Sequence, residues 1–249
     1  MSSFKIARAS RPVQQGHVPC LSALDMQSLF DALADTVFFV KDREGRYTHC
    51  NQTLVRRLGR KRRGDLVGRT PAELFPAPLG NSYVQQDQRV LAGGCVNDQL
   101  EVHLYPNRRH GWCLTHKRPL FERGEIVGLI GVSRDLGRPD RRHSSFESLQ
   151  RVREHMQQHL DQKLRVPLLA KRAGVSVAQF ERQFKRVFQI SPQQHLIRLR
   201  IERAMELLRS EQTVAQIAQQ CGFSDQSAFS RQFKATVSMT PSDYRKHLL

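Results

Sequence analysis

The sequence lacks most of the features by which secreted and membrane proteins are recognised. Its five cysteines are scattered and form no C-x-x-C pair, so they predict neither a disulfide framework nor a cysteine-rich metal site. The longest apolar run, IVGLIGV at 126–132, is far too short to span a bilayer. Residues 1–22 contain no apolar signal-peptide core. We therefore expect a reduced, cytoplasmic chain with no membrane partner.

Motifs that carry catalysis are missing as well. The chain has no G-x-S-x-G, G-x-G-x-x-G, Walker A or H-E-x-x-H pattern. The acidic residues are sparse and form no evident acid–base pair. An enzyme is the rival class, and nothing in the sequence supports it.

Positive charge, by contrast, is abundant. The 249 residues carry 40 Lys and Arg against 23 Asp and Glu, a formal net charge of +17. The excess is densest in the last hundred residues. Such a balance favours a polyanionic partner, either nucleic acid or an anionic membrane surface.

The part of the chain with the densest positive charge contains an internal repeat. RQFK occurs at 182–185 and again at 231–234, inside two longer segments with the same order of residue types, at 168–192 and 216–241. Each copy has a short helical run, a glycine (Gly174 or Gly222) suited to a tight turn, and a second helical run. The pattern predicts two helix-turn-helix units, at 168–189 and 216–238.

Apolar spacing assigns a core face to the second helix of each unit. Val177, Phe180 and Phe184 share one apolar helix face in the first copy, as Phe229 and Phe233 do in the second. We predict that the four phenylalanines are core residues. Between the copies, 191–210 predicts one helix of about 30 Å. A spacer of that length would hold two recognition helices about one DNA turn apart, near 34 Å.

This region resembles the DNA-binding domain of the AraC/XylS family of transcription regulators. The resemblance covers residues 149–247 and rests on IAQQCGFSDQSAFSRQFKATVSMTPSDYR and on LRIERAMELL. It implies two helix-turn-helix units on a non-palindromic DNA site, and promoter regulation through RNA polymerase contacts. The family usually has glycine where this chain has Gln189 and Ser238, so those two helix ends are expected to be less favourable.

The resemblance also implies which side chains meet DNA. Carried over by position, the side chains that would read bases are Ala178, Glu181, Arg182, Ser227, Ala228, Ser230 and Arg231. Lys185 and Lys234 lie on the same two helix faces. Arginine suits bidentate recognition of guanine, and a glutamate can accept from the amino group of cytosine. Contact of the two arginines with phosphate is an equal alternative. The two lysines are predicted to bind phosphate.

The first part of the chain predicts a different architecture. Strand-like runs at 36–42, 45–51, 99–105, 111–121 and 126–136 surround helical segments. FFVKDREGRYTHCNQTL and THKRPLFERGEIVGLIGVSRDL resemble a PAS domain. The resemblance implies a five-stranded antiparallel sheet with flanking helices, an internal pocket, and a role in sensing or dimerisation.

The whole chain is thus predicted to be α+β. Its segments are a flexible tail at 1–22, a PAS-like domain at 23–138, a linker at 139–145 and the DNA-binding domain at 146–249.

No cofactor or metal is predicted for the PAS-like part. His110, Cys113 and His116 are three residues apart, but strand alternation would put Cys113 on the opposite face from the two histidines. Single histidines that could bind a haem are more often structural. A candidate ligand pocket would be lined by Phe38, Val40, Cys50, Trp112 and Ile130, although these five residues could equally form a core.

The basic run RRLGRKRRGD at 56–65 could touch DNA or RNA polymerase, or it could be a solvated helix end. Together the two parts predict a sequence-specific transcription regulator controlled by a small-molecule or protein signal at its PAS-like domain. In the alternative, that domain only dimerises and the protein is a constitutive or architectural DNA binder.

Overall fold

The computed structural model describes residues 22–77, 79–104 and 110–248. The segment 22–135, called here the sheet half, contains all the strands of the described residues. The segment 146–248, the helical half, follows after a short connection. The predicted tail lies outside the described residues except for Ser22.

One antiparallel sheet organises the sheet half. Its strands are β1 Thr36–Asp42, β2 Tyr47–Cys50, β3 Val96–Leu104, β4 His110–Glu122 and β5 Glu125–Asp135. They lie side by side in the order β2-β1-β5-β4-β3, with every neighbouring pair antiparallel. The predicted five-stranded antiparallel sheet is confirmed.

Helices precede, link and cover these strands. They are α1 Ala23–Asp31, α2 Gln52–Arg57, α3 Pro71–Leu74 and α4 Leu79–Leu91, with a 3-10 turn at Arg63–Asp65. Asn51, fully buried, ties α2 to the sheet. Its Oδ1 accepts from the amides of Phe38 and Leu54, and its Nδ2 donates to the carbonyl of Thr36 at 2.7 Å. One side chain thereby caps the helix and satisfies backbone groups of β1.

The sheet has two buried faces, each covered by a different part of the chain. Alternation along β3 and β4 points Glu101 and Thr115 toward α4, whereas Val102, Trp112 and Leu114 point away. Val102 packs in the core of the helical half, and Leu114 packs with Ile190. The outer face of β3 and β4 is therefore an interface between the two halves.

The helical half has seven helices: α5 Phe146–Gln158, α6 Val166–Ala173, α7 Val177–Phe188, α8 Pro192–Leu207, α9 Val214–Gln220, α10 Gln226–Val237 and α11 Pro241–Leu248. Gly174 and Gly222 have φ of 73° and 72°, the left-handed conformation that ends α6 and the turn after α9. Ser176 caps α7 and Asp225 caps α10 through their side-chain oxygens.

Two apolar cores divide the helical half, and α8 joins them. Phe180 and Phe184 are fully buried with α5 and α6, and Phe229 and Phe233 are fully buried with α9 and α11. Leu199 of α8 packs in the first core and Ile201 in the second. The core role predicted for the four phenylalanines is confirmed.

The structure corrects two details of these helices. The helix α8 has 16 residues, about 24 Å of axis, so it is shorter than predicted because the chain turns after Leu207. Val177, which the spacing places on the apolar stripe of α7, is 39% exposed. As the first residue of α7, it lies beyond the edge of the core.

The helix ends that lack the usual glycine adopt the glycine conformation anyway. Gln189 and Ser238 have φ of 67° and 66°, which strains a residue that carries a Cβ atom. Gln189 also bonds the connection between the halves. Its Oε1 accepts from the amide of Gly137 at 3.1 Å, and its Nε2 donates to the carbonyl of Arg138 at 3.3 Å.

His195 of α8 is a polar group inside the first core. Its ring lies 5.4 Å from the rings of both Phe184 and Phe188, and neither ring nitrogen has a hydrogen-bond partner among the described residues. Burial, together with the charges of Arg198 and Arg153, lowers the pKa of His195 to about 3. The imidazole is therefore neutral and destabilises the fold when it is protonated.

We predict that His195→Phe removes a pH dependence of stability. The unfolded chain takes up the proton near pH 6.5 and the folded chain only near 3. The free energy of unfolding therefore falls as the pH drops through that window, by about 2 kcal/mol at pH 5. Urea unfolding of the full chain at pH 7.5 and pH 5 should show a smaller loss for the variant. Equal losses would contradict the prediction, since His103, also buried, titrates alike in both proteins.

Candidate nucleic-acid interface

The face of α7 opposite its core presents the side chains that sequence similarity assigns to DNA. Ala178, Glu181, Arg182 and Lys185 are all exposed, and they follow Ser176, whose hydroxyl caps the helix. The amino-terminal turns of a recognition helix are the part that reaches base edges in a major groove. Glu181 and Arg182 lie in those turns.

The helix α10 presents the matching set. Ser227, Arg231 and Lys234 are exposed, and Ala228 and Ser230 are half-buried. The cap residue Asp225 accepts from the amide of Ala228 at 2.7 Å. This hydrogen bond, with others from Ser224 and Ser227 and the charge of Arg231, lowers the pKa of the Asp225 carboxyl. The carboxylate fixes the start of α10.

Arg182 and Arg231 have no carboxylate within ion-pair distance in the described part of the chain. Lys185 differs. Its Nζ lies 3.4 Å from Oδ2 of Asp98 on β3, and Asp98 also lies 3.1 Å from Nε2 of His116. The sheet half thus reaches a lysine that is predicted to bind phosphate.

Sequence reasoning missed Asp98 because it depends on an irregularity of β3. The register of β3 on β4 shifts between Val96 and Gln99, and Asp98 has φ of 44°. Such a bulge re-aims a side chain and ends regular pairing. An alternating strand pattern assumes extended backbone at every residue. It therefore cannot indicate that Asp98 adopts a left-handed conformation, although aspartate is one of the residues that do so most readily.

The basic run at 56–65 is partly neutralised inside the sheet half. Arg57 is buried and paired with Asp135, and Arg63 is paired with Asp31. Nε of Arg62 lies 3.3 Å from Oδ1 of Asp65. The exposed members with no such pair among the described residues are Arg56, Arg60 and Lys61.

A small cavity lies between the inner face of the sheet and the helices. It encloses about 50 Å³, enough for a few water molecules. Aromatic rings of Phe39, Tyr47, Phe75 and Tyr83 line it together with polar groups of Lys41, Glu101, Thr115 and Lys117. We call it the sheet cavity.

Two buried lysines share one carboxylate at this cavity. Asp87 of α4 pairs with Lys41 and, at 2.6 Å, with Lys117. Lys41 also lies 4.2 Å from the centre of the Tyr47 ring, a cation–π contact. Burial lowers the pKa of Lys41 to about 8, although the charge of Asp87 opposes the shift. The charges of Lys117 and Lys41 hold the pKa of Asp87 below its usual value despite burial.

The five residues predicted as a pocket lie elsewhere. Phe38 and Val40 alternate with the cavity-lining Val37 and Phe39 on β1, so they point to the outer face, as does Ile130, the partner of Val40. Phe38 stacks on Phe30 of α1 at 4.8 Å. Cys50 is fully buried in the apolar core of the sheet half. Trp112 faces the helical half, 5.5 Å from the guanidinium carbon of Arg198.

Cys113 and His116 point to opposite faces of β4, as strand alternation predicts. Cys113 lines the sheet cavity, and His116 faces Asp98. The side chain of His110 lies outside the described part of the chain. Within residues 22–77, 79–104 and 110–248, no group of three His, Cys, Asp or Glu side chains could hold a metal ion, and no helix is long and apolar enough to cross a membrane.

Comparison with known proteins assigns both halves to classes. Residues 169–247 match the family described as a helix-turn-helix domain, and residues 30–141 match the PAS fold. The protein is therefore a helix-turn-helix protein whose sheet half has the PAS fold.

The chain is similar to several transcription regulators, and it covers almost the whole length of one of them, SoxS. The chain is 36% identical over 95 residues to the probable transcriptional regulator LumQ of Photobacterium leiognathi, covering 38% of each protein. It is 33% identical over 106 residues to the regulatory protein SoxS of Salmonella typhimurium, covering 42% of this chain and 99% of SoxS. The structure of a VqmA–ligand–DNA complex from Vibrio cholera is 24% identical, with a TM-score of 0.45, and covers 74% of this chain and 89% of that one.

The chain belongs to the AraC/XylS family of transcriptional regulators. It spans less than half the length of the first relatives it matches: 38% of LumQ, 31% of the MmsAB operon regulatory protein of Pseudomonas aeruginosa and 44% of RhaR of Mannheimia succiniciproducens.

We predict that Asp87 is needed for stability because it neutralises the buried Lys41 and Lys117, and not because of the space that its side chain fills. Asp87→Asn leaves two buried ammonium groups without a carboxylate and should lower the free energy of unfolding by about 3–5 kcal/mol. The control is the triple variant Lys41→Met, Asp87→Leu, Lys117→Met, which should regain most of that loss because it removes all three charges. Urea unfolding checks both. A triple variant as unstable as Asp87→Asn would show that packing dominates.

Proposed function

We propose that this protein is a sequence-specific transcription regulator whose two helix-turn-helix units read successive major grooves of DNA. One observation carries the proposal: α7 and α10 rest on separate phenylalanine cores joined by α8 and present matched polar faces. Arg182 and Arg231 occupy equivalent positions in the two RQFK segments. Two similar but non-identical faces suit a non-palindromic site.

The roles of the side chains follow from their chemistry. Arg182 and Arg231 each contact a guanine, and Glu181 accepts from a cytosine amino group. Ala178, Ser227, Ala228 and Ser230 lie against base edges or thymine methyl groups, and Lys234 binds phosphate. Lys185 also binds phosphate once its pairing with Asp98 is released.

Selection of binding sites from random DNA by the full chain, at stated salt, tests the function. Two information-rich blocks about one helical turn apart support two readers. Salt-sensitive binding without any motif would instead support the architectural alternative, because a specific regulator prefers its site by about 10³ or more.

The arginines allow a sharper prediction. Arg182→Ala and Arg231→Ala should each weaken binding to the selected duplex by about 1–3 kcal/mol and relax the preference at one base pair. Lys234→Ala is the matched control and should weaken all sequences alike. Affinity measured on a panel of single-base variants distinguishes the two effects. Uniform weakening by an arginine variant would assign that arginine to phosphate.

The sheet half supplies control in this proposal. Alternate residues of β3 and β4 line the sheet cavity with Glu101 and Cys113 and contact the helical half with Val102 and Trp112. A small molecule that enters the cavity would have to enlarge it, since it now has room for only a few water molecules. Such a ligand, or a protein bound to the sheet half, would shift these strands and with them the position of α8. Dimerisation through the sheet half and contact with RNA polymerase belong to the same proposal. The PAS resemblance implies the first, and the AraC/XylS resemblance implies the second.

We predict that Trp112→Ala lowers affinity for the selected duplex by about fivefold or more. Trp112 and Ile197 of α8 pack against the same core cluster, and the guanidinium carbon of Arg198 lies 5.5 Å from the centre of the Trp112 ring. The helix α8 joins both readers. The matched control is Phe121→Ala, which removes an aromatic ring that is 63% exposed on the same strand and should leave affinity unchanged. Unchanged affinity in Trp112→Ala, measured by fluorescence anisotropy, would favour the alternative in which the sheet half only dimerises.

A further inference from the structure

A polar groove runs between the sheet half and α10. Gln85, Gln88 and Arg89 line it from α4, and Arg231 and Lys234 line it from α10. All five side chains are exposed. We call it the α4–α10 groove.

All the charged side chains that line this groove are positive. It contains three cations and no carboxylate, and Arg89, Arg231 and Lys234 have no carboxylate within 4.0 Å in the described part of the chain. Asp98, on the adjacent strand, does not line the groove and is held by Lys185 and His116. Guanidinium, ammonium and amide groups are the donors that bind phosphodiester oxygens.

The spacing on α4 brings its donors together. Gln85, Gln88 and Arg89 are separated by three and four residues, so they share one face of the helix. This face is polar, whereas the opposite face of α4 carries the buried Gln86, Asp87 and Val90. Buried contacts of the opposite face therefore keep Arg89 on the side of α4 that faces the groove.

Packing between the halves fixes the groove itself. Gln99 of β3 donates from Nε2 to the carbonyl of Ala235 on α10 at 3.1 Å, and Val102 packs in the core that contains Phe233. Gln194 of α8 donates to the carbonyl of Asp98 at 2.8 Å. Because β3 follows α4 after a short turn, these contacts hold α4 beside α10.

We propose that the α4–α10 groove binds the DNA backbone, so that Arg89, with Gln85 and Gln88, contacts a phosphate flanking the block read by α10. This inference rests on the proposed function, since it extends the surface of Arg231 and Lys234 onto the sheet half. The sheet half then contributes directly to affinity for DNA, and not only to control.

Arg89→Ala in the full chain tests the inference on the selected duplex. Affinity should fall roughly three- to tenfold, and the slope of log K against log salt should become shallower by about 0.9, the value for one phosphate contact. Base preference should stay unchanged, because a phosphate contact carries no sequence information. Arg89→Lys should restore part of the affinity.

Two controls make the test specific. Arg118→Ala removes an exposed arginine of β4 that does not line the groove and should bind like the parent protein. On a duplex that ends at the α10 block, Arg89→Ala and the parent should bind equally, because the flanking phosphate is absent.

Each contrary result has a distinct meaning. If Arg231→Ala weakens binding while Arg89→Ala matches the parent in affinity and salt slope, the groove does not bind DNA, and the proposed function still holds. Tighter binding by Arg89→Ala would also overturn the inference, since the sheet half would then obstruct the duplex. If the parent selects no DNA sequence, the proposed function fails together with this inference.

Discussion

The packing of the outer face of β3 and β4 against α8 and α10 fixes how the two halves of the molecule are placed relative to each other. Val102, Trp112 and Leu114 are apolar residues of a sheet that would otherwise expose them to water. Their burial stabilises the contact between the halves at about 25 cal/mol per Å² of apolar surface. The same contact sets Asp98 beside Lys185 and α4 beside α10. Without it, the two halves would be independent modules on a short connection.

The inner face of the same strands has the opposite chemistry. Lys41, Asp87 and Lys117 form a buried network that a purely structural core would not need, because apolar residues of similar volume commonly replace such networks without loss of stability. Glu101 is fixed on the same face by Gln86 and Thr115. Glu101 and Cys113 of the cavity lining are followed or preceded directly in the chain by Val102 and Trp112, which face the helical half. A change at the sheet cavity is therefore one residue away from the contact between the halves.

The helical half shows how a repeated unit is adapted. Both units use a left-handed glycine, a side-chain cap and a pair of buried phenylalanines. Both also accept strain at the residue that ends the second helix of the unit, Gln189 after α7 and Ser238 after α10. Gln189 differs in binding Gly137 and Arg138, so the end of α7 is fastened to the connection between the halves. Ser238 has no such contact among the hydrogen bonds of the described residues.

Much of this was predictable from sequence because the signals are local. Period-two and helical spacing mark the strands, the four core phenylalanines and the exposed faces of α7 and α10, and the repeat marks the two units. Even Lys41 could have been found, since it shares the strand face of Val37 and Phe39. The length of α8 and the exposure of Val177 were misjudged because periodicity does not fix where a helix ends.

The sequence by itself determined which residues form helices and strands, because propensity, capping and alternation act within a few residues of one another. Only the tertiary structure decided which face of the sheet the helical half covers, that one aspartate serves two lysines 76 residues apart (Lys41 and Lys117), and that Arg89 lies beside Arg231. These pairings join residues far apart in the chain. They follow from how the two halves pack, which no local pattern encodes.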